Sequence, residues 1–342
     1  MKVVKFICVA IMIFVHAHIM LVTNDNFGFD DTSAFFYKIT DKFMFLGLFL
    51  TILPALAGYV FRVQNNYGLK KTVGTATFLI FIGFLMNAMV WGIKYVFAWN
   101  ILQFIGLSFV VIALMMKFFS ERAIFFLSLI SILIAPILRN ILSLANGNYF
   151  MDIFIGNIER FVFWPLFPWF GVLGFGFLFA HYNIKQNNNF KFNKNLFFIG
   201  IALITFAIAT NTISPSLSSG YFWSEEIFQP ATGFVFATIG LFLIISILGI
   251  HFFDKKSFKK YGIINSYSGG ILWIYISMMF LNGVLYSLIS EWLPLNNPGI
   301  NSSGIIYVFW MIIIFILSWI VGALSVKLGN KRINILIKKN ER

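Results

Sequence analysis

Lys5 and His16 stand eleven positions apart in the run Lys5-Phe-Ile-Cys-Val-Ala-Ile-Met-Ile-Phe-Val-His16-Ala-His18. On an α-helix eleven residues turn through about 1100°, about 20° beyond three full turns, so both side chains share a face. At about 1.5 Å per residue they lie roughly 16 Å apart along the axis. In so apolar a run, the cation would sit near one membrane surface and the imidazole near mid-depth. An imidazole is the side chain suited to take up and return a proton near neutral pH. An ionisable group at that depth marks function, although a histidine can also be a satisfied packing residue. His18 lies about 200° around the helix from His16. It does not share the face of Lys5, which makes His16 the candidate base.

Other polar groups interrupt apolar runs further on. Asn100 and Gln103 open one of them in Trp99-Asn-Ile-Leu-Gln-Phe-Ile-Gly106, and residues three apart share a helix face. Asn87 lies inside another run, and Arg139 ends a third. In hydrocarbon such groups need partners and are expected to point into a bundle. Helix capping and snorkelling to the interface are the alternatives, for Arg139 above all. In Trp164-Pro-Leu-Phe-Pro-Trp-Phe-Gly171 the two prolines suit the first turn of a helix, and Trp164 and Trp169 suit an interfacial aromatic belt. Gly171, Gly174 and Gly176 are read as close-packing positions rather than a nucleotide fingerprint, since no strand precedes them. Gly269-Gly270 marks an expected local break.

Composition says what must position these residues. Of 342 residues 60% are hydrophobic, 19% aromatic and 11% charged, with a mean hydropathy of +0.88. That leaves too little polar surface for a water-soluble domain. The formal net charge of +13 comes from lysines in short loops between apolar runs. It therefore implies orientation in a bilayer rather than a nucleic-acid partner. Cys8 is the single cysteine, so neither an intrachain disulfide nor a cysteine metal site is expected. The opening Met-Lys-Val-Val-Lys resembles a signal-peptide start, but no small-x-small site follows, and the run is read as a retained span.

Apolar stretches long enough to cross about 30 Å of hydrocarbon recur. Ten are expected, near 3–22, 41–61, 72–93, 99–118, 123–143, 163–182, 196–214, 231–252, 263–285 and 304–326. With the N-terminus in the cytoplasm, alternate loops collect 20 of the 25 basic residues on the inner side. Lys38, Lys42, Lys94, Arg139 and Arg160 fall outside, with nine of the twelve acids. The expected fold is all-α: a polytopic transmembrane helix bundle of about ten spans with both termini cytoplasmic. The whole chain, 1–342, reads as one transmembrane domain, and its longest polar linker, Asn183 to Asn195, reads as a flexible inner loop.

A family resemblance rests on several of these motifs. Phe167-Pro-Trp-Phe-Gly171 resembles the Pro-Trp-(apolar)-Gly signature of bacterial relatives of heparan-α-glucosaminide N-acetyltransferase. Asn100-Ile-Leu-Gln-Phe-Ile-Gly106 is similar to that family's Ile-Leu-Gln segment, and Leu53-Pro-Ala-Leu-Ala-Gly-Tyr59 to its second span. The wider membrane acyltransferase group, including acyltransferase family three, has Arg, ten residues, then His in its first span. Here Lys5 stands in place of the arginine, without its bidentate fork, and the family's preceding Asp-x-x-Arg-Gly run is not seen before Lys5. The resemblance covers the first six spans.

The resemblance implies a multi-pass acyltransferase of a bacterial inner (plasma) membrane. It would move an acyl group, acetyl by analogy, from cytoplasmic acyl-CoA to a glycan or lipid-linked sugar, with no metal. Lys5, Arg62, Lys70 and Lys71 are the cations implied for the donor's phosphates, and His16 is the implied base. Asn100 and Gln103 would stabilise the developing oxyanion, while Arg139, Trp169 and Asn87 would hold the acceptor. Two competing functions stay open. One is a transporter or flippase, which broken spans and intramembrane polar groups fit. The other is a lipid-phosphate-dependent glycosyltransferase holding a divalent metal on Asp30 and Asp31.

Overall fold

An apolar chain has few structural options, because in hydrocarbon every backbone N–H and C=O must be satisfied internally and helices do so segment by segment. The computed structural model describes residues 1–22, 48–64, 68–143, 148–157, 159–187, 189–209, 229–253, 262–285 and 303–340. Among these, all regular structure is helical. Asp30, Asp31 and the lysines between 255 and 260 lie outside the described residues, as does the side chain of His18.

The elements are α1 (Lys2–Val22), α2 (Leu53–Val63), α3 (Leu69–Trp91), α4 (Ile101–Phe118), α5 (Glu121–Ser143) and α6 (Tyr149–Ile155). They continue with α7 (Leu166–Lys185), α8 (Phe190–Ala209), α9 (Thr232–Leu248), α10 (Gly262–Gly269), α11 (Ile271–Phe280) and α12 (Ser303–Asn340). Among the described residues five helices are long and apolar enough to cross a membrane: α3, α4, α5, α8 and α9 with its π-helical extension to His251. A sixth candidate is the pair α10 and α11, bent by 81° at the expected Gly269-Gly270 break. Phe78, Phe81, Leu85 and Met89 on α3, and Phe126, Ile130, Leu133 and Ile137 on α5, stand exposed. Lipid accommodates such faces and water does not. The protein is an integral membrane protein.

The chain divides into two units, Thr51–Ile247 and the combination of Met1–Leu50 with Leu248–Arg342. In the first, α7 is the central element. Leu173, Phe177 and Trp169 are fully buried on it, and it packs on α2, α4, α5 and α6. Its glycines allow that approach: a Cβ on Gly176 would lie 1.9 Å from the Ala55 carbonyl oxygen of α2, and one on Gly171 2.4 Å from Ile132 of α5. Small residues let helices close up where no hydrophobic drive separates lipid from protein, as the Gly171–Gly176 stretch led one to expect.

The linker from Asn183 to Asn195 departs from its expected form. Helix α7 runs on through Lys185 and α8 starts at Phe190. The Asn189 side chain accepts from the Lys191 and Phe192 amides, at 2.8 and 3.4 Å, which caps the new helix. Buried Asn183 donates to Asn193 across the turn at 3.3 Å. Side-chain capping thus turns most of an Asn-rich stretch into helix ends. In the second unit, α1 packs on α10, α11 and α12, burying Val4, Cys8, Val9, Met12, Ile13 and Val15.

Candidate active site

Helix α1 is unbroken from Lys2 to Val22, so Lys5 and His16 keep the shared face expected of them. The His16 Nδ1 lies 2.9 Å from the Met12 carbonyl oxygen. A carbonyl only accepts, so Nδ1 carries a proton, and in the neutral ring Nε2 keeps its lone pair. The ring meets Tyr275 of α11 edge-on, centroids 6.2 Å apart. Near the helix start, Lys2 donates to Asn265 at 2.9 Å, and Phe6 meets Tyr267 edge-on at 5.4 Å. Tyr275 is a neighbour of His16 that sequence reasoning missed. An aromatic inside an apolar run carries no signal that separates it from packing.

In the other unit the structure brings together three of the expected polar residues. Asn87 donates to the Ala98 carbonyl at 2.6 Å and to that of Val96 at 3.4 Å. Its own oxygen accepts from Asn100 at 3.3 Å. Asn100 and Gln103 form a capping box at the start of α4, with the Gln103 oxygen 3.2 Å from the Asn100 amide. Gln103 also donates to Ala98 at 3.2 Å and is 0% exposed. The network ties the end of α3 to the start of α4 through the carbonyls between them. Every partner is a committed hydrogen bond, so removing one side chain orphans others. Gln103→Ala is expected to lower the stability of the purified protein by about 1–3 kcal/mol, read as an earlier thermal or denaturant transition; an unchanged transition contradicts this account.

The network fixes Trp99 against the Trp164 motif. The Trp99 amide donates to the Phe161 carbonyl at 2.8 Å, and the Phe163 amide to the Trp99 carbonyl at 2.9 Å. The Trp99 indole donates to the Trp164 carbonyl at 2.9 Å. Pro165 precedes α7 as its N-cap, Phe167 is non-helical, and the Phe167–Pro168 bond is cis. Trp169 stacks obliquely on Trp164 at 4.9 Å and is 0% exposed. It is packed within the protein, unlike a belt tryptophan at the headgroups. Close by in sequence, Arg160 pairs with Asp152 at 3.3 Å, and the Tyr149 hydroxyl donates to the Phe97 carbonyl. Burial, then the Asp152 charge, holds that phenol above its ordinary range, which keeps it a donor.

The expected cations part company. Lys70 and Lys71 are exposed on the first turn of α3. Arg62, in the last turn of α2, donates through Nε to Nδ1 of His181 on α7 at 3.2 Å. His181 must then hold its proton on Nε2 and stay neutral at that contact. It too was missed, because its partner lies 119 positions away. Arg139 donates through Nη1 to the carbonyls of Gln229 and Pro230, both at 2.9 Å. Among the described residues no group of three or more His, Cys, Asp or Glu side chains could hold a metal ion.

The family described as heparan-alpha-glucosaminide N-acetyltransferase, catalytic, matches residues 3–214. No curated protein and no solved structure matches the chain.

Proposed function

The chain belongs to the heparan-α-glucosaminide N-acetyltransferase catalytic family, and from that premise we propose that it moves an acetyl or other acyl group from acyl-CoA at the cytoplasmic face to a glycan or other envelope acceptor. The setting is a bacterial inner membrane crossed ten times with both termini inside, a reading supported by the bias of basic residues to alternate loops. The observation that carries the reaction is the His16 imidazole, with Nδ1 held on the Met12 carbonyl. Nε2 takes the proton of the acceptor hydroxyl or amine as that atom attacks the thioester carbon. The C–S bond then breaks, and the imidazolium returns the proton to the CoA thiolate.

Arg62, with Lys70 and Lys71, is the cation set assigned to the donor's phosphates at the inner side. Asn87, Asn100 and Gln103 act as positioning residues, since their polar atoms already hold the backbone between α3 and α4. Trp169 supports the acceptor end through its packing on Trp164. The test is mass spectrometry of envelope glycans from cells with and without the gene, together with thioester turnover by the purified protein. An acyl mass lost with the gene and CoA released by the protein are expected; unchanged glycans and no turnover sink the proposal. The 81° break between α10 and α11 is the feature that favours a transporter instead, and solute movement without thioester consumption would establish that.

A further inference from the structure

A guanidinium carries five N–H donors in a rigid fork. In Arg139 the two on Nη1 are spent on the Gln229 and Pro230 carbonyls. Those carbonyls are themselves held in place, since the Gln229 side chain donates to the Gly156 carbonyl at 2.6 Å. The Nε and Nη2 atoms are buried and have no hydrogen-bond partner. Arg139 is the one cationic residue among the described residues with buried nitrogens in that condition. No described carboxylate pairs with it; Asp152 is taken by Arg160.

Donors shut away from water and left unanswered cost roughly 1–3 kcal/mol on general grounds. Two carbonyl dipoles offset part of that cost. A water could fill the remaining donors but would bring no counter-charge. The Nε and Nη2 donors point side by side, the edge on which a guanidinium takes two oxygens of one carboxylate or phosphate. By the distribution of basic residues, Arg139 belongs to the outer minority, on the side where the acceptor would be met.

We propose that the Nε–Nη2 edge of Arg139 holds an oxyanion, a carboxylate or phosphate of a ligand reached from the outer side. The role of that ligand as acceptor rests on the acyl-transfer reading above. It narrows the acceptor to an acidic sugar or a phosphate-bearing one. A phospholipid headgroup offers the same chemistry, and the experiment separates the two sources.

The full-length protein is purified in detergent without acyl-CoA. Binding is measured with glucuronate, glucose 6-phosphate and glucose, and retained phospholipid is weighed by native mass spectrometry. The expected result is that the two anions bind and glucose does not. Arg139→Gln should weaken anion binding by at least about 10-fold, the scale of a charge-assisted hydrogen bond, while Arg139→Lys keeps part of the preference for anions. If no sugar binds but phosphatidylglycerol stays on the wild type and is lost from Arg139→Gln, the oxyanion is a headgroup. Equal binding of glucose and glucuronate with equal lipid retention in wild type and variant overturns the proposal. If Arg139→Gln does not fold, the wild-type contrast between anions and glucose, with Arg139→Lys beside it, decides on its own. A protein that binds anions yet transfers no acyl group would sink the enzyme reading and leave this site standing; transfer to neutral acceptors alone would do the reverse.

Discussion

Replacing His16 by alanine is expected to lower acyl transfer at least about 100-fold, the usual contribution of a positioned general base. The loss should fall on kcat, with the KM for acyl-CoA nearly unchanged, because the imidazole is assigned to proton transfer and not to the donor's phosphates. His16→Gln should be as inactive. Its amide can still donate to the Met12 carbonyl, but it cannot take a proton, so it separates chemistry from the helix contact. The variants should enter the membrane like the wild type, since α1 is anchored by Val4, Cys8, Met12 and Val15. His18→Ala should cost far less, because that residue lies about 200° away around the helix. Single-turnover consumption of labelled acetyl-CoA checks this. Wild-type rates in both His16 variants, or inactivity confined to His18→Ala, would remove the mechanism.

Arg62→Ala is expected to raise the KM for acyl-CoA by roughly 10-fold or more, the effect of losing a hydrogen bond to a charged group. The rise should be absent with an acyl-pantetheine, which lacks the nucleotide phosphates. Added salt should raise the wild-type KM more steeply than that of the variant, which keeps the neighbouring lysines but has one charge fewer to screen within about 10 Å at 0.1 M salt. His181→Phe removes the ring that takes the Arg62 Nε hydrogen. It should give a smaller rise of the same kind, since it frees the guanidinium without deleting its charge. An equal rise for acyl-CoA and acyl-pantetheine would mean that Arg62 holds the helices together and does not read the donor.

The family match ends at residue 214, and α1 packs on α10, α11 and α12, which begin at 262. The surroundings of His16 within its own unit therefore come from a part of the chain beyond the matched stretch. Tyr275 is the clearest case, a ring edge-on to the imidazole. A variant of Tyr275 would alter the packing of His16 without touching any residue of the family motifs.

Several things were legible in the residues themselves. Sixty per cent hydrophobic content in long runs dictates helices, because only internal hydrogen bonding survives in hydrocarbon. Spacing dictates that Lys5 and His16 share a face, since that depends on helix pitch alone. The motif carrying Trp169 points to the family, and the glycines of α7 point to close packing. Other things were decided only in three dimensions. Asn87, thirteen positions before Asn100, joins the capping box of α4 because the chain between them folds back and offers its carbonyls. Arg62 meets His181, and Arg139 meets the carbonyls before α9, across 119 and about 90 positions. Trp169 looked like a residue for the membrane interface and is packed inside instead. The physical reason is common to all of these. Periodicity reports which face of a helix is apolar, but lipid is as apolar as leucine, so an apolar face does not reveal whether a helix or a lipid covers it. Polar side chains settle the matter, and each does so through a partner that only the folded chain brings within hydrogen-bonding distance.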